Sequence, residues 1–318
     1  MRKSTIVSTP SDFLGKVVEE LEACLEENKK DLLKLIGLSE FLCCLSVLKR
    51  ERVAGRTSVS QEKADLVIDL INSLGLYCHR SVLDLLPQPD LIEGNVNHHG
   101  VYVPQGSQQG AWAILYFGLD AEFAKGAESA ELNKDQKLVG RLFGYPKCCS
   151  EFFLQNNGFN QDRTPESIKD VGPFPSILNP ATAELYGLSL QFHFACSPRC
   201  SQSLGVVRNR LNHLMQYAPS IAMIEKIGTG ITLYGPSIGA ALAPRYRQVE
   251  ANSYAIEEVI VSSDKAAELF AHDGQAALLH LHSAHRFQIE DRTFDDDYHF
   301  AALFTEMNRV RVESVAFG

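Results

Sequence analysis

The chain has no long uninterrupted apolar run. Its most apolar stretch, Ile36 to Leu48, is broken by Glu40 and falls far short of the roughly 20 residues a membrane-crossing helix needs. The first residues, MRKSTIVSTPSDFLGKVVEE, open basic but turn polar and acidic with no apolar core, so no secretory leader is expected and the reading is a soluble, cytoplasmic protein. Positive charge is not in excess either. Against 39 Asp and Glu stand 30 Lys and Arg, a formal charge of -9, which disfavours general affinity for phosphate backbones or anionic membranes, so nucleic acid is not the favoured partner and a small molecule or protein is. There is no Cys-x-x-Cys pair, which removes zinc-ribbon and simple ferredoxin spacing. No flexible linker, internal repeat or low-complexity tract divides the chain.

What is present is a globular composition, 45% hydrophobic and 22% charged over 318 residues, enough to bury a sizeable core. The pattern predicts an α+β fold in three regions: a mostly helical N-terminal region (1–110), a central helical cysteine-rich domain (111–220) and a mixed C-terminal region (221–318). From Ser11 to Leu76 apolar residues recur at helical spacing (Phe13, Val17, Leu21, Cys24, Leu25, then Leu32, Leu35, Ile36), predicting two or three amphipathic helices. The run Ala111 to Phe117 is short, apolar and aromatic, and suits a buried strand. Helical patterns dominate from Asp135 to Tyr217, interrupted by a Pro-rich loop, 172–180, whose Asn179-Pro180 pair suits a helix start. Beyond Ile221, strands are expected at Ile231–Tyr234, Ile256–Val261, Ala276–His282 and Arg286–Glu290. Helices are expected near Asp264 and Phe300, the last with Asp295 to Asp297 at its start.

Eight cysteines in a reducing compartment do not read as a disulfide framework. Cys148 and Cys149 follow Pro146, whose fixed φ and missing N–H suit a first helical position. In ACSPRCSQS, Ser197 reads as an N-cap with Pro198 at the first helical position and Cys200 three residues after the cap. Helix N-termini favour thiolates, raising nucleophilicity and metal affinity. The spacing is Cys-Cys, 46 residues, then Cys-x-x-x-Cys. Adjacent cysteines on a regular helix diverge by about 100°, so Cys149 and His193 remain alternative fourth ligands beside Cys148, Cys196 and Cys200. Three readings stand: a shared metal site holding zinc or an iron–sulfur cluster, a metal-free reactive thiol pair, and plain packing. An enzyme or enzyme subunit of unspecified reaction is the leading functional reading. A non-catalytic interaction module with a structural zinc, and a thiol-redox protein using Cys148 or Cys200, are the alternatives.

The segment Gly144-Tyr145-Pro146-Lys147-Cys148-Cys149, followed by Phe152-Phe153, and the segment Cys196-Ser197-Pro198-Arg199-Cys200-Ser201-Gln202-Ser203 together resemble an uncharacterised prokaryotic domain-of-unknown-function family. In that family a Gly-Tyr/Phe-Pro-x-Cys-Cys turn is followed by Pro-Cys-Ser-x-x-Cys-x-x-Ser. The resemblance covers Trp112 to Leu204 and departs at Ala195, where the family has Pro. It implies that the four cysteines act together and transfers no reaction.

Cys24, Cys43 and Cys44 read as core residues, and Cys78 as structural. His280 and His282 share one face of a predicted strand, near His285; a polar outer stripe is favoured over a metal pair. His98-His99 carries little signal. The glycines at 228, 230, 235 and 239 read as turns because no Gly-Lys-Ser/Thr ending follows. Arg199, Arg208, Arg210 and His213 read as a solvated helix face rather than an anion site.

Overall fold

A computed structural model describes residues 6–8, 13–87, 100–155, 164–170, 172–235, 239–271, 276–295 and 300–305. The fold is α+β, with the N-terminal helices and the strand-rich C-terminal region that the sequence predicts. The helices come first. α1 (Phe13–Cys24) buries Phe13, Val17 and Leu21, one residue per turn. α2 (Glu27–Leu48) is interrupted at Gly37, whose φ of 79° and ψ of 169° are non-helical. After a 3₁₀ turn, α3 (Ala64–Ser73) buries Ala64, Val67 and Ile71.

Between and after them lie strands that the helical pattern does not announce: β2 (Ala54–Ser60), β3 (Tyr77–Pro87) and β4 (Gly100–Pro104). With β5 (Trp112–Gly118) they form an antiparallel sheet in the order β2-β5-β3-β4. The central strand β5 is buried on both faces. Ala113, Leu115 and Phe117 pack towards α2 and α3, and Ile114 and Tyr116 pack towards the pair α4 (Ala121–Leu132) and α5 (Gln136–Leu142). Double burial explains why the strand reads as a continuous apolar run.

The central helices are α6 (Lys147–Gln155), the single turn α7 (Thr164–Ser167), α8 (Ala181–Tyr186), α9 (Ser201–Met215) and α10 (Ile224–Ile227). At the start of α8, Asn179 Oδ1 accepts the Ala181 N–H, as an N-cap does, while Nδ2 donates to Gly228 O and Thr232 Oγ1.

The second sheet gathers β1 (Ile6–Ser8), β6 (Phe174–Pro175), β7 (Gly230–Gly235), β8 (Gly239–Glu250), β9 (Ser253–Val261), β10 (Ala277–Ser283), β11 (Arg286–Ile289), β12 (Arg292–Phe294) and β13 (Phe300–Thr305). Its order is β12-β11-β10-β9-β8-β7-β13-β6, with β1 parallel to β9. The helix α11 (Asp264–Phe270) packs on the face formed by Ile231, Leu233 and Ala241, and the opposite face joins the helical core through Ala240 and Leu242. The helices of that core, α1 to α3 and α8 to α10, thus lie between the two sheets, with α4, α5 and α11 on the outer faces. Pairing crosses both region boundaries read from the sequence: β5 sits between β2 and β3, and β6 pairs with β13.

The expected helix at Phe300 is instead the strand β13, antiparallel to β7. A short run such as FAALFT, buried on both faces, carries no period that separates helix from strand. Asp295 therefore precedes a strand, and Asp296 and Asp297 lie outside the described residues. Among the described residues no helix is long and apolar enough to cross a membrane.

Gly230 begins β7 with φ 142°, and a Cβ there would stand 2.3 Å from Ala243 O on β8. Gly230→Ala should therefore cost about 3 kcal/mol or more in chemical denaturation. Gly205→Ala, on α9 with nothing within 4 Å, should instead gain about 0.5–1 kcal/mol.

Candidate metal centre

The first cysteine pair is placed by a helix stop followed at once by a helix start. At the end of α5 the Tyr145 N–H reaches Gly140 O (2.8 Å) and the Gly144 N–H reaches Arg141 O (3.2 Å), with Gly144 in the left-handed region at φ 67°. This is a Schellman stop. Pro146 then opens α6, its carbonyl accepting from the N–H groups of Cys149 and Ser150, both at 3.0 Å. Gly144 also admits a close approach, since a Cβ there would lie 2.8 Å from Arg52 Cβ and 2.9 Å from Glu51 O.

The second pair is placed by a turn. The Cys200 N–H bonds Ser197 O (2.9 Å), and the Arg199 N–H bonds Ser197 Oγ (3.1 Å). Here the structure corrects the expected boundary. Cys200, not Ser197, is the N-cap of α9, and its Sγ accepts the Ser203 N–H at 3.4 Å. The competing local bond to Ser197 makes a turn first and delays the helix by three residues.

The two arms meet. Cys148, Cys149, Cys196 and Cys200 have sulfurs all within 4.8 Å of one another. Three of the separations are 3.6 Å (Cys148–Cys200), 3.7 Å (Cys149–Cys200) and 3.9 Å (Cys148–Cys149). All four are free thiols; Cys149 and Cys200 are buried, Cys148 and Cys196 half-buried. Burial pushes Cys149 up strongly, and burial with the neighbouring Cys200 and Cys148 pushes Cys196 up to about 12. Burial also opposes the Cys200 thiolate, but the Ser203 hydroxyl and N–H, with the thiols of Cys148 and Cys149, bring it down to about 7. Such a group can hold a metal such as zinc, or an iron–sulfur cluster.

His193 lies one step outside. Its Nε2 is 2.8 Å from Ser203 Oγ, which is 3.2 Å from Cys149 Sγ. The fully buried Ser203 therefore couples the imidazole to the thiol group, and Cys149 joins the other three sulfurs. The other face of His193 meets Tyr145, ring centroids 5.6 Å apart. Its Nδ1 is buried with no partner among the described residues.

Behind this layer the structure corrects the reading of a solvated face at Arg210 alone, while Arg199 is exposed and Arg208 and His213 are partly exposed. Arg210 is 5% exposed and Arg52 4% exposed. The Phe192 ring lies within reach of both guanidinium groups, at 4.5 Å from Arg210 and 5.0 Å from Arg52. Arg210 donates to Leu190 O (2.7 Å) and Glu51 (3.3 Å). Arg52 donates to Ser46 Oγ (2.7 Å) and contacts Cys43 Sγ. Of the α9 residues, Ser203, Val207, Arg210, Leu211 and Leu214 are buried, a 3–4 spacing that marks the inward face. Arg199 bonds Pro173 O and pairs with Asp170.

Ser203 and Tyr145 lie in the two cysteine segments, but the sequence assigns neither a role. Arg52 carried no signal, because its burial depends on the distant Gly144 turn. Of the other cysteines, Cys43, Cys44 and Cys78 are buried as expected, but Cys24 is exposed; at the end of α1 the inward position passes to Leu25. His280 bonds Ser253 Oγ (2.8 Å) on the outer side of β10, with Leu279 and Leu281 buried inward and His282 exposed. His98 and His99 lie outside the described residues.

Burial, with the charges of Arg210 and Arg52, lowers the His193 pKa to about 3. The folded protein then leaves this imidazole neutral while the unfolded chain protonates it below about 6.5. Stability should fall as pH drops from about 6.5 towards 3, by about 1.4 kcal/mol per pH unit for this one proton. Urea titrations of wild type and His193→Asn across that window should differ by this slope. No family model, curated protein or solved structure matches this chain.

Proposed function

We propose that the chain binds one tetrahedral metal ion, zinc, through Cys148, Cys149, Cys196 and Cys200, and that the ion fastens the starts of α6 and α9 together. The observation that carries this reading is the sulfur spacing. Four thiolates on one zinc at bond lengths of about 2.3 Å stand about 3.8 Å apart, against 3.6–3.9 Å for the three pairs among Cys148, Cys149 and Cys200. In a cluster the thiolates radiate from different irons, so at least some pairs stand much farther apart; here every pair is within 4.8 Å. The N–H donor to Cys200 and the Ser203 hydroxyl supply the outer hydrogen bonds that favour thiolates.

A closed four-thiolate site has no open position for substrate. On this reading the ion is structural, and catalytic work lies outside its coordination sphere. The resemblance of the two cysteine segments to the domain-of-unknown-function family supports treating them as one unit. A thiol-redox reading has one observation in its favour, the Cys200 thiol at about 7 beside the half-buried Cys148. Thiolate character is equally what a metal ligand needs.

Protein purified without oxygen should carry one zinc per chain, no acid-labile sulfide and no visible colour. Cys148→Ser, Cys196→Ser and Cys200→Ser should each lose the metal, while Cys43→Ser keeps it and loses stability only. Ser203→Ala should keep the stoichiometry but weaken zinc affinity by about 10–100-fold in chelator competition. Stoichiometric sulfide would establish a cluster instead. Metal-free folded protein that cycles between thiol and disulfide would establish the redox reading.

A further inference from the structure

Ser203 joins the two arms of the cysteine group. It is fully buried in the first turn of α9. Its N–H donates to Cys200 Sγ at 3.4 Å, while its Oγ lies 3.2 Å from Cys149 Sγ on one side and 2.8 Å from His193 Nε2 on the other. The hydroxyl has one proton to give and two neighbours that can take it. If the proton points to the imidazole, Cys149 receives nothing from Ser203. If it points to the sulfur, the imidazole must supply the proton of the second bond.

The surroundings of the ring select the second arrangement. Burial, with the charges of Arg210 and Arg52, keeps His193 neutral, so the ring carries a single N–H, at Nδ1 or at Nε2. Nδ1 is buried with no partner among the described residues. A proton there would be a buried donor without an acceptor, which folded proteins tolerate less than an acceptor without a donor. With the proton on Nε2 instead, the ring donates to Ser203 Oγ and the hydroxyl donates to Cys149 Sγ. A thiolate accepts hydrogen bonds and cannot donate them, so the direction that suits the ring also suits a metal-bound sulfur. Two contacts hold the imidazole in place: the Tyr145 ring, 5.6 Å between centroids, and the bond from Gln191 Nε2 to His193 O at 2.7 Å.

We propose that His193 is a positioning residue of the metal centre: in its Nε2–H form it turns the Ser203 hydroxyl onto Cys149 and so favours that sulfur as a thiolate ligand. This role presupposes the four-thiolate zinc site proposed above. Cys149 is the most buried of the four, 2% exposed against 8% for Cys200, and its anion gains most from a fixed donor. His193 itself touches no ligand and acts through Ser203, as outer hydrogen-bond partners of metal ligands do.

The test is nitrogen-15 NMR of the histidine rings in the full chain loaded with zinc at neutral pH, with zinc content measured on the same sample. The His193 signal, assigned by its loss in His193→Gln, should show the neutral Nε2–H form. A zinc-loaded chain with His193 as Nδ1–H or as imidazolium would overturn this proposal and leave the zinc site standing, whereas a folded chain that takes up no zinc would overturn both. In chelator competition His193→Leu should weaken zinc binding by about tenfold, and His193→Gln, whose amide keeps a donor, should recover most of that loss. In a Ser203→Ala background, His193→Leu should change the affinity no further. Unchanged zinc affinity in His193→Leu, or an equal loss with and without the Ser203 hydroxyl, would show that the ring only packs.

Discussion

The approach of two helix starts, each bearing two cysteines, organises the middle of this molecule. Four sulfurs within 4.8 Å of one another are tolerable as thiols and strongly repulsive as thiolates, because like charges in a partly buried site disfavour ionisation. That opposition is visible within the group. Cys149 and Cys196 are held protonated, whereas Cys200, with donors from Ser203, is drawn towards the anion. A divalent cation would convert the repulsion into the force that keeps α6 and α9 together. The precise placing of Gly144, Pro146, Ser197 and Ser203 around the sulfurs serves that one meeting point.

The layer behind the sulfurs is unusually charged for an interior. Arg52 and Arg210 are nearly fully buried; Arg210 has the Glu51 carboxylate beside it, and Arg52 bonds Ser46, contacts Cys43 and faces Phe192. Buried cations without close partners are costly, and aromatic faces recover part of that cost. Burial, together with the same charges, keeps His193 neutral, so the imidazole meets Ser203 and Tyr145 as an uncharged ring. Glu40 completes the layer, its carboxyl raised by burial against the pull of Thr57, Arg56 and Arg52.

How much of this was legible depended on whether a residue's consequence is local. Gly144, Pro146 and the cysteines announce a stop, a start and a cluster from sequence alone, because φ preference and thiol chemistry belong to the residue. β5 was legible because both its faces are apolar. β2, with its small polar residues, was not, and β3 loses its alternation at an irregularity between Arg80 and Asp84. β8, twelve residues long, hides behind Pro244, which sits where the register with β9 shifts between Leu242 and Arg245; proline is accommodated in a sheet at such irregularities. Arg210 was misread because a charged residue at an inward helical position looks the same, in one dimension, as one facing water.

The separation of the two cysteine arms along the chain has a consequence for biosynthesis. Cys149 and Cys200 are 51 positions apart, so at ribosomal rates of about 5–20 residues per second the first arm emerges roughly 3–10 s before the second. During that interval Cys148 and Cys149 lack the Ser203 hydroxyl and the other two sulfurs. β13, the last described strand to be made, then closes against β7 only after the site's residues have all been delivered. The nascent chain therefore meets its period of greatest exposure to oxidants and stray metal ions before its second sheet exists.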